Sequence, residues 1–426
     1  MIQVARKVKN FGAFYQRALG FHHDSVRDEP APYPGVKTEF TKEMRFILPE
    51  EVPTIPIYRV LNSQGKVINP DHDPGFEKED LVEMYKVMVK TSIMDRILYQ
   101  SQRQGRISFY MTNFGEEATQ IGSARALKFK DVVFPQYREA GVFLWRGYTP
   151  LECMHQCFGT SKDFGKGKQM PVHYTGAKVN IQAVSSPLGT QIPQAAGYAY
   201  ALKQRDRDAC AVCYFGEGAA SEGDCHSAMN MAATLDCPIM FFCRNNGYAI
   251  STATKDQYRG DGIASRGIGY GIPAIRFDGN DLFAVYNATK AARKLCVEEQ
   301  RPVVLEAMTY RVGHHSTSDD STAYRSVDEV KHWDTVDTPI NRIRNYLTGR
   351  AWWDETQEKE FRSNARGEIL RGFKEAENTK LPNPLLIFDE VWDELPAQLQ
   401  AQKDEMIKHC MKYGENYPLQ NHEDMK

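Results

Sequence analysis

The 426-residue chain carries 53 Lys and Arg against 55 Asp and Glu, a formal net charge of -2. That balance argues against nucleic acid as the main partner, and no apolar run approaches the ~20 residues a membrane helix needs. The length fits about three domains or one large α/β domain with appendages. The nine cysteines, several inside apolar runs, fit buried thiols in a reducing compartment better than a disulfide framework.

The chain opens with "MIQVARKVKNFGAFYQRALGFHH", which holds Arg6, Lys7, Lys9 and Arg17 and no acid before Asp24. Basic, acid-free, amphipathic starts are the pattern of mitochondrial presequences, so residues 1–44 read as a presequence and arm of a matrix protein. Residues 24–75 are rich in Pro, Gly and charge and read as an extended arm. In "FEKEDLVEMYKVMVKTSIMDRILYQSQRQG", Leu81, Met84, Tyr85, Met88, Ile93, Met94 and Ile97 recur at helical spacing, which predicts one long helix ending near Gly105. Residues 45–105 are thus an arm plus helix.

Between residues 106 and 335, short apolar runs alternate with helical patterns. "DVVFPQ", "ACAVCYFGEG", "PIMFFCRNN", "AIRFDG" and "VVLEAMTYR" read as strands, and "SEGDCHSAMNMAATL" and "DLFAVYNATKAARKLCVEEQ" as helices between them. The alternation implies βαβ units: an α/β fold with a parallel sheet and helices on both faces. "GIGYGIP" (267–273) lacks the dinucleotide spacing G-x-G-x-x-G and reads as a loop. Residues 336–426 are charged and helical, broken at "KLPNPLLIFDEVW".

Cys210 and Cys213 form a C-x-x-C, but no second pair at zinc spacing follows, and both lie in a strand-like run. A buried strand is the better reading. The stronger signal is Glu217 between Gly216 and Gly218 after one apolar strand, with Asn245 and Asn246 after the next and one helix between. In a right-handed βαβ unit these residues meet at the carboxyl ends of adjacent strands, where open α/β sheets bind ligands. Magnesium takes hard oxygen ligands and shares them with phosphates, so a carboxylate, an amide oxygen and a backbone carbonyl suffice if a diphosphate supplies the rest. The helix beginning after Gly218 is expected to aim its N–H groups at that anion.

G-D/E-G followed by N-N resembles the thiamine diphosphate motif. Together with "PQYREAG", "SSPLGTQIPQAAG", "CRNNGYAIST", "YRGDGIASRGIGYGI" and "YRVGHHSTSDDSTAYRSVDEV", it resembles the alpha subunits of branched-chain 2-oxo acid dehydrogenases, from roughly residue 45 to the C-terminus. Pyruvate-specific relatives carry a different loop where this chain reads "GHHSTSDD", which makes a pyruvate-using subunit the runner-up. The resemblance implies that Glu217, Asn246 and the carbonyl of Tyr248 hold magnesium. It implies that Gln136, Tyr137, Arg138, Ser186, Leu188, Gly216, Gly218, Ala219 and Arg244 line thiamine diphosphate, with the two guanidiniums suited to phosphate. Ser185, Pro187, Thr190 and Gln191 match a potassium loop, and Ser316 and Ser326 match sites served by a dedicated kinase and phosphatase.

By the same resemblance, His315 reaches the diphosphate and helps transfer to the lipoyl group, while His314 reads as structural. The implied reaction is decarboxylation of a branched 2-oxo acid and reductive transfer of the acyl group to a lipoyl-bearing dihydrolipoyl acyltransferase core, the cofactor supplying the hard step. The acid that must face the cofactor's aminopyrimidine ring has no second thiamine-binding half here. A beta subunit is expected to supply it in an α2β2 tetramer. A nicotinamide-dependent oxidoreductase predicts a dinucleotide fingerprint that is absent, and a non-catalytic scaffold predicts loss of Glu217, Asn246 or His315, all present.

Overall fold

Six strands form the sheet; those at Val132–Phe134, Ala211–Gly216, Ile239–Asn245 and Val303–Met308, read as apolar runs, are buried almost throughout, as strands covered on both faces are. The six are β1 (Ile57–Tyr58), β2 (Val132–Phe134), β3 (Ala211–Gly216), β4 (Ile239–Asn245), β5 (Ala274–Asp278) and β6 (Val303–Met308). All pair in parallel, in the order β1-β5-β6-β4-β3-β2. The structure, a computed structural model, describes residues 33–35 and 38–424, so most of the expected presequence lies outside the described residues. Two units divide the chain, Met1–Ile55 and Pro56–Lys426. In the first, a 3-10 turn at Pro49–Glu51 carries an exposed Arg45–Glu51 pair at 3.1 Å.

Alternate residues of each strand serve opposite faces. Val212, Tyr214, Met240 and Phe242 join one core with α1 (Lys78–Arg103), α2 (Glu117–Ala126) and α7 (Leu282–Glu299). Cys213, Phe215, Phe241 and Cys243 join the other with α5 (Gln191–Arg205) and α6 (Gly223–Thr234). The helical stripe predicted for α1 is buried along its whole length. All nine cysteines are free and buried, and Cys210 and Cys213 lie in opposite cores, so they cannot share a metal or a bridge. Further helices are α3 (Ala140–Trp145), α4 (Pro150–Phe158), α8 (Val327–Thr335), α9 (Pro339–Gly349), α10 (Glu355–Glu377) and α11 (Ala397–Tyr413), besides two short ones at Thr254–Gln257 and Ala264–Gly269. Helix α10 is fastened to α4 through Phe158–Phe373 rings 5.0 Å apart, and to α1 by Tyr85 donating to Glu358 at 2.8 Å.

Three local expectations need correction. The arm over residues 24–75 is not wholly extended outside the sheet: Ile57 and Tyr58 pair with Arg276 and Phe277 as its edge strand. The neighbouring Val60 and Leu61 N–H groups donate to the buried Asp281 carboxylate at 2.7 and 2.6 Å, which pins the arm there. Part of "GIGYGIP" is helical, Ala264–Gly269, because the buried Glu306 carboxylate accepts from the Ile263 and Ala264 N–H groups at 3.0 and 2.9 Å. That tertiary cap satisfies donors a local sequence leaves orphaned. Lastly, helix α6 does not start after Gly218. A 3-10 turn, Ala219–Ser221, intervenes, and Glu222 sits in extended backbone, so α6 begins at Gly223.

Candidate active site

The βαβ unit β3-α6-β4 sets the site. Gly216 is in register with Arg244, so Glu217 and Asn246 leave adjacent strand tips side by side. The Asn246 N–H donates to Glu217 Oε2 at 3.2 Å. The other oxygen, Glu217 Oε1, is buried with no hydrogen-bond partner. Burial, in the company of the Glu116 carboxylate, pushes the Glu217 carboxyl up to about 7. A carboxylate so placed is costly unless a cation faces it. Gly218 is required where it stands, since a Cβ there would lie 2.6 Å from Ala249 Cβ.

These tips border a cavity of roughly 220 Å³ lined by Gln136, Tyr137, Arg138, Leu188, Gly216, Glu217, Gly218, Ala219, Arg244, Asn246, Tyr248 and His315. Twelve expected site residues are thus brought together. Tyr248 turns its carbonyl to the same region, where it accepts from Arg311 Nη1 at 3.3 Å. Gln136 Oε1 is buried and unpartnered as well. Ser186 is not on the cavity lining; its hydroxyl lies 2.7 Å from His173 Nε2. Of the expected potassium loop, Thr190 Oγ1 lies 2.9 Å from Ser185 Oγ and 3.1 Å from the Pro187 carbonyl. Gln191 instead sends its amide nitrogen to the Tyr214 carbonyl at 3.0 Å.

Sequence reasoning missed the charges under the cavity floor. Arg244 Nε donates to Glu139 Oε1 at 2.7 Å and Nη1 donates to Glu116, with all three side chains buried. Burial disfavours the guanidinium charge, but Glu139 and Glu116 outweigh it and hold the proton more firmly than usual. Glu139 also accepts from the Gln136 N–H. So Arg244 reaches the cavity already clamped by two carboxylates, and a free bidentate phosphate grip is left to other groups. Glu139 directly follows Arg138 in "QYREAG" and could have been suspected; Glu116, in "FGEEA", reads only as an acid opening a helix.

The loop 309–326 forms the opposite wall. Arg138 donates through Nη1 to the Thr112 carbonyl and through Nη2 to the His315 carbonyl. Arg311, also missed, donates to Ile250 O and to the Tyr324 hydroxyl, each at 2.7 Å, and lines the cavity. Burial and the positive charges of Arg138 and Arg311 push the His315 imidazole down to about 3, so it is neutral at physiological pH. His314 Nδ1 accepts from the Ser321 N–H at 3.0 Å, as a structural residue would. Ser316 is buried, whereas exposed Ser326 caps α8 by accepting from the Glu329 N–H at 3.1 Å.

A wider groove of about 880 Å³ runs along α7, and several charges on its walls are paired, Lys128 with Asp208, Lys294 with Glu298 and Arg293 with the buried Asp131. Among the described residues no group of three His, Cys, Asp or Glu could bind a metal unaided, and no helix is long and apolar enough to cross a membrane.

A family model for the dehydrogenase E1 component matches residues 85–385. Among curated proteins, the chain is 58% identical to "2-oxoisovalerate dehydrogenase subunit alpha, mitochondrial" of Macaca fascicularis over 398 residues, 93% of this chain and 89% of the relative. It is 58% identical to the Homo sapiens protein of that name over 396 residues, covering 93% and 89%. It is 57% identical to that of Mus musculus over 400 residues, covering 94% and 90%. The chain therefore belongs to the dehydrogenase E1 component family, among the mitochondrial 2-oxoisovalerate dehydrogenase alpha subunits.

Proposed function

We propose that this chain, joined to a beta subunit in an α2β2 tetramer, catalyses oxidative decarboxylation of 3-methyl-2-oxobutanoate and related branched 2-oxo acids, passing the acyl group to the lipoyl group of a dihydrolipoyl acyltransferase in the mitochondrial matrix. This is 3-methyl-2-oxobutanoate dehydrogenase (2-methylpropanoyl-transferring) activity. The observation that carries the reading is the buried, half-unpartnered Glu217 carboxylate beside Asn246 at two strand tips. The family implies thiamine diphosphate, and the donor set fits its magnesium salt. Glu217 Oε1, Asn246 Oδ1 and the Tyr248 carbonyl would hold the ion, and a hard cation with few protein ligands takes the rest from phosphate and water.

When bound, thiamine diphosphate supplies the electron sink for decarboxylation. The chain's own residues bind and orient. Arg138 carries positive charge to the cavity wall while holding the His315 carbonyl, and neutral His315 is free to donate or accept a hydrogen bond there. The Gly216–Ala219 backbone lets a phosphate come close, with Gly218 leaving no room for a side chain. Ser185, Pro187 and Thr190 gather three oxygens suited to a potassium ion that would stiffen the segment carrying Leu188.

The discriminating experiment is carbon dioxide release by the coexpressed α and β subunits from 3-methyl-2-oxobutanoate and from pyruvate. The branched acid is expected to be preferred; a preference for pyruvate would overturn the substrate assignment. Thiamine diphosphate with magnesium should raise the unfolding temperature of the complex, because a ligand bound only by the native state adds RT ln(1 + [L]/Kd).

A further inference from the structure

An asparagine can serve a cation only with its amide oxygen. Its nitrogen must therefore be held elsewhere, or the group can turn and offer a donor instead. In this site the turning is decided. Asn246 Nδ2 donates to Glu116 Oε1 at 2.8 Å, and the Tyr248 N–H donates to Asn246 Oδ1 at 3.3 Å. The first partner is a carboxylate, which only accepts; the second is an amide N–H, which only donates. Together they fix Asn246 with its nitrogen on Glu116 and its oxygen on the Tyr248 side of the cavity that Glu217 also lines, while its backbone N–H meets Glu217 Oε2. Glu116 is fully buried just before α2, and its other oxygen accepts from Arg244 Nη1.

We infer that Glu116 is the positioning residue of the cation site: its carboxylate selects the ligand face of the Asn246 amide while anchoring Arg244. The inference rests on the reading of Glu217 and Asn246 as ligands. Outer partners of this kind typically govern metal affinity by about 10–100-fold.

The geometry gives Glu116→Gln a specific outcome. Arg244 keeps Glu139, so its charge stays paired. The glutamine has one acceptor oxygen where the carboxylate had two. The guanidinium claims it, since charge-assisted bonds are the stronger. The glutamine nitrogen then faces Asn246, whose amide must turn its oxygen to meet it and its nitrogen to the ligand side. A second substitution reverses this. In E116Q/N246D the new carboxylate at position 246 accepts from the glutamine nitrogen with one oxygen and keeps the other for the cation. In Asn246→Asp alone, two carboxylates face each other, an arrangement that like charge disfavours.

The experiment is Mn2+ binding to the αβ complex in the presence of thiamine diphosphate, read by electron paramagnetic resonance, with thermal unfolding of each complex as the check on folding. Glu116→Gln is expected to weaken Mn2+ binding by about 10–100-fold. E116Q/N246D is expected to bind more tightly than either single variant. Wild-type affinity in Glu116→Gln, or a double variant no better than the singles, overturns the positioning role. If the wild-type complex binds no Mn2+ in a thiamine diphosphate-dependent way, the ligand reading itself falls, and with it this inference.

Discussion

The two sides of the cavity are built on different principles. The floor is rigid: Glu217, Asn246 and Arg244 sit at or beside strand tips in fixed register, and the charges beneath them are fully desolvated and paired. The 309–326 wall has little regular structure, apart from a 3-10 turn at Ser321–Ala323. It is tied by single bonds from side chain to backbone: Arg325 donates to the carbonyls of Arg311, Val312 and Gly313, and Thr317 exchanges backbone and hydroxyl bonds with Tyr110. A desolvated ion pair is all-or-none, because losing one partner strands the other charge. A loop tied by many modest bonds can open locally and close again. The first suits holding a ligand in place; the second suits a wall that opens and closes.

The sharpest way to break this comparison is Arg244→Leu. It leaves Glu116 and Glu139 buried without their cation, and should cost about 3–5 kcal/mol by chemical unfolding of the complex. A loss below about 1 kcal/mol would mean the floor is as forgiving as the wall. Next comes Ser316→Glu. Ser316 is buried and accepts from the Ser318 N–H at 3.2 Å, so added bulk and charge must expel the segment. Protease cleavage within 310–326 is expected to rise on the order of 10-fold, with lower activity and an unchanged melting temperature for the rest of the complex. Cleavage at the wild-type rate would mean that the segment holds its place despite a buried charge.

A milder test reaches the wall through α1. Asp95 accepts from the Tyr110 hydroxyl at 2.9 Å and from Asn113 Nδ2 at 3.0 Å, holding the segment to which Thr317 is fastened. Burial pushes its carboxyl from 3.8 up to about 7. The unfolded chain therefore gives up this proton first, so the stability it contributes is lost as pH rises from about 4 through about 7. Asp95→Asn should flatten the fall of melting temperature with pH over that window; an unchanged slope would place the titration elsewhere. The smallest effect is expected at Ser326. Ser326→Glu gives up the hydroxyl cap on α8, offset in part by a carboxylate at the helix N-terminus, so it should lower stability by no more than about 1 kcal/mol and leave loop cleavage as it was.

Most of the fold and the heart of the site could be read from local pattern. Apolar runs of strand length, the α1 stripe and the order of elements all came through, because burial on both faces of a parallel sheet leaves a continuous apolar signature. Glu217 and Asn246 were legible because each directly follows a strand whose register is set by one short βαβ unit. What misled was local reading of groups whose partners are distant. "GIGYGIP" offers no visible cap, since Glu306 supplies it from another strand. Ser186 looks like its cavity-lining neighbours in sequence, yet His173 takes its hydroxyl.

The order of strands and helices and the pairing of the strand tips that carry Glu217 and Asn246 were determined by the residues in sequence, through periodicity and spacing that act over one element or one βαβ unit, and the family through its motifs. Tertiary structure alone decided that Arg244 is spoken for by two acids, that Arg311 stands beside His315, and that Glu116, 130 positions before Asn246, settles which atom of that amide faces the cavity. The reason is physical. A hydrogen bond between buried charges depends on distance and desolvation in space, and nothing in the spacing of residues along a chain records which two of them packing will bring together.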